Sequence, residues 1–259
     1  MGFLFNAIIY QPIYNLLVFL YNTVSFSDFG VAIILATLII KFLLVPLSKK
    51  QIESQKKMQE MQPKIKEIQE KYKGDKEKQS RALMEFYKTN KANPFSGCLP
   101  TILQLVFLIA IYRVLFNISS AGLMADPKEL YGFVSDPGQI NQYFLGIIDL
   151  SKAIDLKHLT PGMIPQIILV ILAAASQYVQ TKMLMLKNEN TKKQKDKAPD
   201  MAQTMSKQML YLGPILTLFI GIKFPAGLSL YWLVSTVFAI VQQKKIIKND
   251  EKQAIETTK

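Results

Sequence analysis

The sequence predicts an all-α membrane protein with five transmembrane helices, an N-terminal interfacial helix and a cytoplasmic helical hairpin. Three observations predict it. Apolar and charged residues are separated into blocks, although half of the 259 residues are hydrophobic and the mean hydropathy is only +0.18. Several apolar runs approach the roughly 20 residues that a helix needs to cross a hydrocarbon core. The basic residues, which set a formal net charge of +12, fall in particular stretches between those runs. A soluble domain of this length shows shorter apolar runs with helical or alternating periodicity.

Residues 1–25 read as an interfacial amphipathic helix. Asn6, Gln11, Pro12 and Asn15 interrupt an apolar, aromatic stretch, and Tyr10, Tyr14 and Tyr21 suit the headgroup level. The alternative is a first span broken at Pro12, since neighbouring helices can re-satisfy a freed backbone. No Lys or Arg precedes this stretch, so the basic start of a secretory signal is not seen, and Asn6 stands where a myristoylation pattern needs Ser or Thr.

The core is expected over residues 26–247. Asp28 is a helix N-cap, and residues 29–47 form the first span. Pro46 kinks or ends that helix near Val45. Lys41 is the single charge in the run. At about 1.5 Å per residue it lies roughly 10 Å from Ser48 and roughly 20 Å from Asp28. Thr37 is one turn before it on the same face. A cation at the bilayer centre costs about 2.5–3.5 kcal/mol on insertion scales, which points to a function. Lys41 either faces a hydrated cavity or snorkels toward Ser48, a long reach for its side chain.

Residues 48–93 hold thirteen Lys or Arg and seven Asp or Glu, net +6. Gly74-Asp75 marks a turn between helices predicted at 49–72 and 76–91, an antiparallel hairpin outside the membrane. Ile52, Met58, Met61, Ile65 and Ile68 would face Leu83, Phe86 and Tyr87. The hairpin is either merely solvated or docks on an acidic lipid surface or a partner. A loop follows at 93–97. The second span, 99–118, carries Gln104 in its apolar run and Arg113 near its far end, where the long stem can snorkel. Residues 119–160 are polar, with three Lys against five acids, and contain a short apolar piece at 139–150 read as a re-entrant or interfacial helix. The third span is 161–183, where Ala173, Ala174 and Ala175 permit close contact. A Lys-rich loop covers 186–202. A short fourth span, 208–224, contains Pro214, a tight turn spans 224–227, and the fifth span is 228–247. Residues 248–259 are a cytoplasmic tail.

The positive-inside rule sets the orientation. Five spans put the hairpin, the 186–202 loop and the tail on the cytoplasmic side, with the N-terminus and the 119–160 loop outside. The net charge is then topological, which removes the case for specific nucleic-acid recognition. No phosphate loop, zinc-protease helix or nucleophile elbow is present. Cys98 and His158 match no metal or disulfide pattern; Cys98 reads as a packed small side chain and His158 as solvated. No span holds a carboxylate for acid–base chemistry or a proton relay. The spans offer one cation with Thr37, Gln104, Ser176, Gln177, Gln180, Ser229, Ser235 and Thr236, a set suited to a wet groove. These residues specify neither an enzyme nor a cofactor.

Thr37-Leu-Ile-Ile-Lys41-Phe-Leu-Leu-Val-Pro46-Leu47, Met61-Gln-Pro-Lys-Ile65, Asn93-Pro-Phe-Ser-Gly-Cys-Leu-Pro100 with Gln104, and Phe224-Pro-Ala-Gly-Leu-Ser-Leu-Tyr-Trp232 resemble the YidC-type membrane protein insertases, relatives of the Oxa-type insertases. The resemblance covers nearly the whole chain. It implies a five-helix core in a bacterial cell membrane and a hydrophilic groove open to the cytoplasm and the lipid. Through that groove single- and double-spanning proteins would pass into the bilayer without nucleotide or metal. It also implies a groove cation at Lys41, where the family commonly has Arg, a substrate-facing position at Thr37, an aromatic slide at Tyr231 and Trp232, and groove positions at Gln104 and Gln177. Lys keeps the charge and loses the planar donor fork. Nascent membrane proteins and the lipid bilayer are the implied partners; the ribosome, signal-recognition components and the Sec translocon are candidates for the hairpin and tail. The chain shows neither the large external domain of many Gram-negative members nor the lipoprotein signal of many short ones, so the short form typical of Gram-positive bacteria is expected. A small transporter or channel, or a factor that only holds partner helices, would use the same spans. Ion flux and insertion by the purified protein separate these classes.

Overall fold

The computed structural model describes residues 2–90, 92, 99–185 and 201–256. The first helix, α1 (Phe3–Thr23), is continuous, so Pro12 does not break it. A π-helical turn, Asn6–Tyr10, precedes the proline, which then sits in the first turn of the regular stretch Gln11–Thr23. There a missing N–H costs least. The helix is long and apolar enough to cross a membrane. Yet its polar groups bind residues 117–141 along most of its length. Asn117 Nδ2 donates to Tyr10 Oη at 2.7 Å, and the amides of Asp126 and Asn141 donate to Tyr14 Oη and Tyr21 Oη at 2.7 and 2.8 Å. Asn15 donates to the Glu129 carbonyl and accepts from the Tyr131 amide, at 2.8 and 2.6 Å.

A left-handed pair, Phe26 and Ser27, turns the chain into α2 (Phe29–Leu43). Asp28 caps it as expected: one carboxylate oxygen accepts from the Val31 amide at 3.0 Å, and the other from the Leu145 amide at 2.7 Å. The expected helix over 29–47 is shorter than its apolar run. It stops at Leu43, bends by 65°, and restarts as α3 (Val45–Glu60). Pro46 explains this, because its ring is compatible with the opening turn of a helix and not with its interior. The first arm of the basic hairpin is also broken, at Met61, and continues as α4 (Gln62–Lys71). Pro63, not weighed in the periodicity, again stands in an opening turn. The second arm is α5 (Lys76–Thr89), capped by Asp75, whose side chain accepts from the Lys78 amide at 3.0 Å. Ile65 is buried in the seam, and Gln79 Nε2 donates to the Gln69 carbonyl across it at 3.0 Å.

The next helix is α6 (Leu99–Ser120). The apolar piece at 139–150 is not a helix. It is a small hairpin of β1 (Tyr143–Phe144) and β2 (Ile148–Asp149), because Leu145 and Gly146 both take positive φ and close a tight turn. Phe144 packs onto Gly30 of α2 so closely that a Cβ at Gly30 would overlap the ring. Then come α7 (Ile164–Met185), α8 (Met201–Lys223), which starts earlier than expected, and α9 (Ala226–Glu256). The apolar stretch of α8 among the described residues, Leu210–Lys223, is shorter than the other spans. By length and composition, α1, α6, α7 and α9 each suffice to cross a membrane, and counting the bent α2–α3 pair as one span gives five among the described residues. The loop expected at 93–97, Cys98 and most of the loop at 186–202 lie outside the described residues.

Among the described residues the fold is all-α apart from that hairpin, as predicted. α9 is its hub, packing against α2, α6, α7 and α8, while α1 packs on α2 and α6. The core runs through Leu17, Ile33, Ala36, Ile111, Val114 and Tyr231. Ala173 and Ala174 are buried, as close helix contact requires. At one end of the bundle the Leu150 and Lys152 carbonyls accept from the Gly227 and Ala226 amides, both at 3.0 Å, so the segment before α7 caps the α8–α9 turn. His158 is exposed beside Asp155. Arg113 does not reach outward; its guanidinium lies over the rings of Tyr10 and Phe5, 4.9 and 5.9 Å from their centroids.

Candidate functional site

Thr37 and Lys41 lie one turn apart on α2, on the face turned into the bundle. Thr37 is buried, and its hydroxyl donates to the Ile33 carbonyl at 2.6 Å, inside its own helix. Lys41 is half-buried. Its ammonium points inward and donates to Gln104 Oε1 on α6 at 3.1 Å. Its neighbours Phe42 and Leu43 are the outward-facing groups, 65% and 74% exposed. The snorkelling geometry is therefore not adopted.

Gln104 Oε1 also accepts from Ser235 Oγ on α9 at 2.9 Å. Tyr231, one turn earlier on α9, is buried with its phenol beside Ser235 and Gln104. Three helices thus converge on one amide oxygen. A carbonyl oxygen has two lone pairs, and two donors occupy both. An ammonium has three N–H groups, of which one is used here. The Gln104 amide nitrogen is buried, with no hydrogen-bond partner among the described residues. Among the described residues no carboxylate pairs with Lys41. Ser235 and Tyr231 add hydroxyl groups that both donate and accept, so the cluster is a polar network around one cation.

Gln177 and Trp232 form a separate node. Trp232 Nε1 donates to Gln177 Oε1 at 3.1 Å, and Thr236 Oγ1 approaches the same oxygen at 3.5 Å. Gly213 of α8 lies against this glutamine. The six residues singled out by sequence are thus brought to one level of the bundle but divide into two groups. Tyr231 and Ser235 turn toward α2 and α6, and Trp232 and Thr236 turn toward α7 and α8. Consecutive residues on a helix point about 100° apart, which accounts for the division. Sequence reasoning counted Ser235 among polar groups without assigning it to Lys41. The spacing of Tyr231 from Ser235, and of Trp232 from Thr236, carried that signal. It missed Gln242, whose Nε2 donates to Ser48 Oγ at 2.6 Å and reaches the Val45 carbonyl at 3.4 Å. That contact ties α9 to the elbow between α2 and α3.

A bent helix, a basic hairpin and an inward cation held by two further helices can be compared with known proteins. The model of one family, described as 60Kd inner membrane protein, matches residues 19–253. The chain belongs to that family. Among similar curated proteins, the "Membrane protein insertase YidC" of Shewanella halifaxensis is 37% identical over 244 residues, covering 94% of this chain and 37% of its own length. The protein of the same name from Shewanella woodyi is 36% identical over the same share of each. The chain spans little more than a third of the length of these relatives. With its apolar helices, family membership makes it a multi-pass bacterial membrane protein.

Proposed function

We propose that the chain is a membrane protein insertase, acting on nascent membrane proteins in contact with the lipid bilayer and not as an enzyme. The observation that carries this reading is the inward Lys41 ammonium, held by Gln104 inside the bundle with no carboxylate paired to it among the described residues. Such a cation receives the acceptor-rich, often acidic, polar segment of an incoming protein. In a low-dielectric surround the attraction exceeds its value in water several-fold. The polar segment needs a hydrophilic groove reaching Lys41 from the cytoplasmic side. The apolar segment then passes Thr37, Tyr231 and Trp232 into lipid, driven by burial. Thr37 and Tyr231 are covered, so α2 and α9 must part for the substrate to touch them. Gln104 and Gln177 hold the two nodes in register. No step needs nucleotide hydrolysis or a cofactor.

In the same reading the hairpin and C-terminus are cytoplasmic, the N-terminus is outside, and α1 lies in the outer interface. The ribosome, signal-recognition components and the Sec translocon are candidate partners for the hairpin and tail. Specific nucleic-acid recognition has no part. Insertion of an acidic-segment substrate into liposomes by the purified protein tests it. Lys41→Arg should retain activity and Lys41→Glu should abolish it. Equal insertion by all three forms, or Lys41-dependent ion flux with no insertion, would overturn the proposal.

A further inference from the structure

A cavity of about 250 Å³ lies between the segment preceding α7 and the adjoining ends of α7 and α8. Leu156 and Leu159 cover it, Ile167 and Ile171 line it on α7, and Leu218 and Ile222 line it on α8. Its wall is apolar. The Ile154 amide donates to the Ile222 carbonyl at 3.2 Å, which fixes the covering segment to the end of α8. Leu156, Leu159 and Ile171 are each more than half exposed, so the cavity opens sideways. From Ile164 to Ile171 is about 10 Å along the helix, so the slot runs from the end of α7 into its membrane-spanning part. An open slot lined by apolar side chains alone suits apolar material better than water. A flexible hydrocarbon chain is the apolar material at hand beside a membrane helix.

The rim is charged. Lys157 stands between the two covering leucines, and Lys223 follows Ile222 at the end of α8. Both are exposed, and among the described residues neither has an ion-pair partner. The carboxylates of the covering segment are engaged: Asp155 Oδ2 with His158 Nδ1 at 2.9 Å, and Asp149 Oδ2 with Lys152 Nζ at 3.0 Å. An apolar slot with exposed cations on residues next to its lining matches an amphiphile with one anionic head and a flexible tail. The geometry points to a specific site for an anionic phospholipid of the adjoining leaflet, its acyl chain in the slot and its phosphate between Lys157 and Lys223.

The test uses the full chain in micelles containing equal amounts of phosphatidylglycerol and phosphatidylcholine, with retained lipid read by native mass spectrometry. One phosphatidylglycerol should be retained several-fold over phosphatidylcholine. Lys157→Gln with Lys223→Gln should remove the preference while lipid is still retained. Leu218→Trp, which fills the slot, should lose both lipids at unchanged helicity. Ile171→Phe provides a second filling variant if the first does not fold. No retained lipid in the wild type, or retention unaffected by both filling variants, overturns the assignment. So does displacement of the lipid by an apolar substrate peptide, which would make the slot a protein-binding site. The measurement contains no insertion step, so it stands or falls apart from the insertase reading.

Discussion

Gln104 is asked to satisfy two donors with one oxygen, and that competition makes it the most informative residue to change. Gln104→Leu leaves Lys41 and Ser235 without an acceptor and should destabilise the protein by about 1–3 kcal/mol, read by thermal unfolding in detergent. Gln104→Glu does the opposite, giving Lys41 a carboxylate at hydrogen-bonding distance. It should raise the unfolding temperature and lower insertion of acidic-segment substrates, because the cation is already neutralised. A variant that gains stability with unimpaired insertion would disconnect the cluster from function. Trp232 is the only tryptophan, so emission reports its node directly. Gln177→Leu removes the indole's acceptor and should move the emission to shorter wavelength, with no change expected from Gln104→Leu.

At the level of elements, contacts between helices and their caps set the limits. A side chain larger than hydrogen at Gly30 meets the base of the Phe144 ring, not a flexible tip. Gly30→Ala should therefore cost about 1–3 kcal/mol, the usual range for overpacking, and Phe144→Ala in the same chain should recover part of the loss. The cap of α5 gives a pH dependence outside the membrane. Bonds from the Lys78 amide and side chain hold the Asp75 carboxyl below its ordinary 3.8. A depressed carboxyl contributes stability that is fully present above the ordinary value and lost as pH falls through the folded one. Protection factors for amide exchange at Lys78 and Gln79, corrected for the intrinsic rate at each pH, should fall only in that acidic window, and Asp75→Ala should lower them at every pH. Phe42 and Phe238 meet edge to face, 5.0 Å between ring centroids, where α2 touches α9. If these helices must part, a short bismaleimide bridge between cysteines placed at 42 and 238 should stop insertion, and cleaving a reducible bridge should restore it.

Much of the whole molecule was legible in the sequence, because helix length, charge blocks and caps are local properties. Asp28, Asp75 and Pro46 act where their chemistry says they should. What the sequence hid depends on distant partners or on turn chemistry. The apolar run at 139–150 pairs as strands because Leu145-Gly146 turns left-handed, and no periodicity reveals that. Pro63 was present to be read and was passed over. Lys41, Thr37 and Gln104 were legible as polar positions within apolar runs, but the division of Tyr231 from Trp232 follows from α9 meeting different helices on adjacent faces. Orientation remains a whole-molecule prediction with a direct measurement. In intact cells a cysteine replacing Lys157 should react with a membrane-impermeant thiol reagent, and one replacing Lys78 should react only after the membrane is opened. The reverse pattern would invert the topology.

The hydrogen bonds of α1 also bear on how the chain assembles. Tyr10, Tyr14 and Tyr21 find their partners 107, 112 and 120 positions downstream. At translation speeds of roughly 5–20 residues per second, that seat does not exist until about 5–20 s after the helix is made. Meanwhile that helix waits with three phenols whose partners are not yet made. Its own biogenesis thus includes a delay, set by contact order, during which a neighbouring chaperone has time to act.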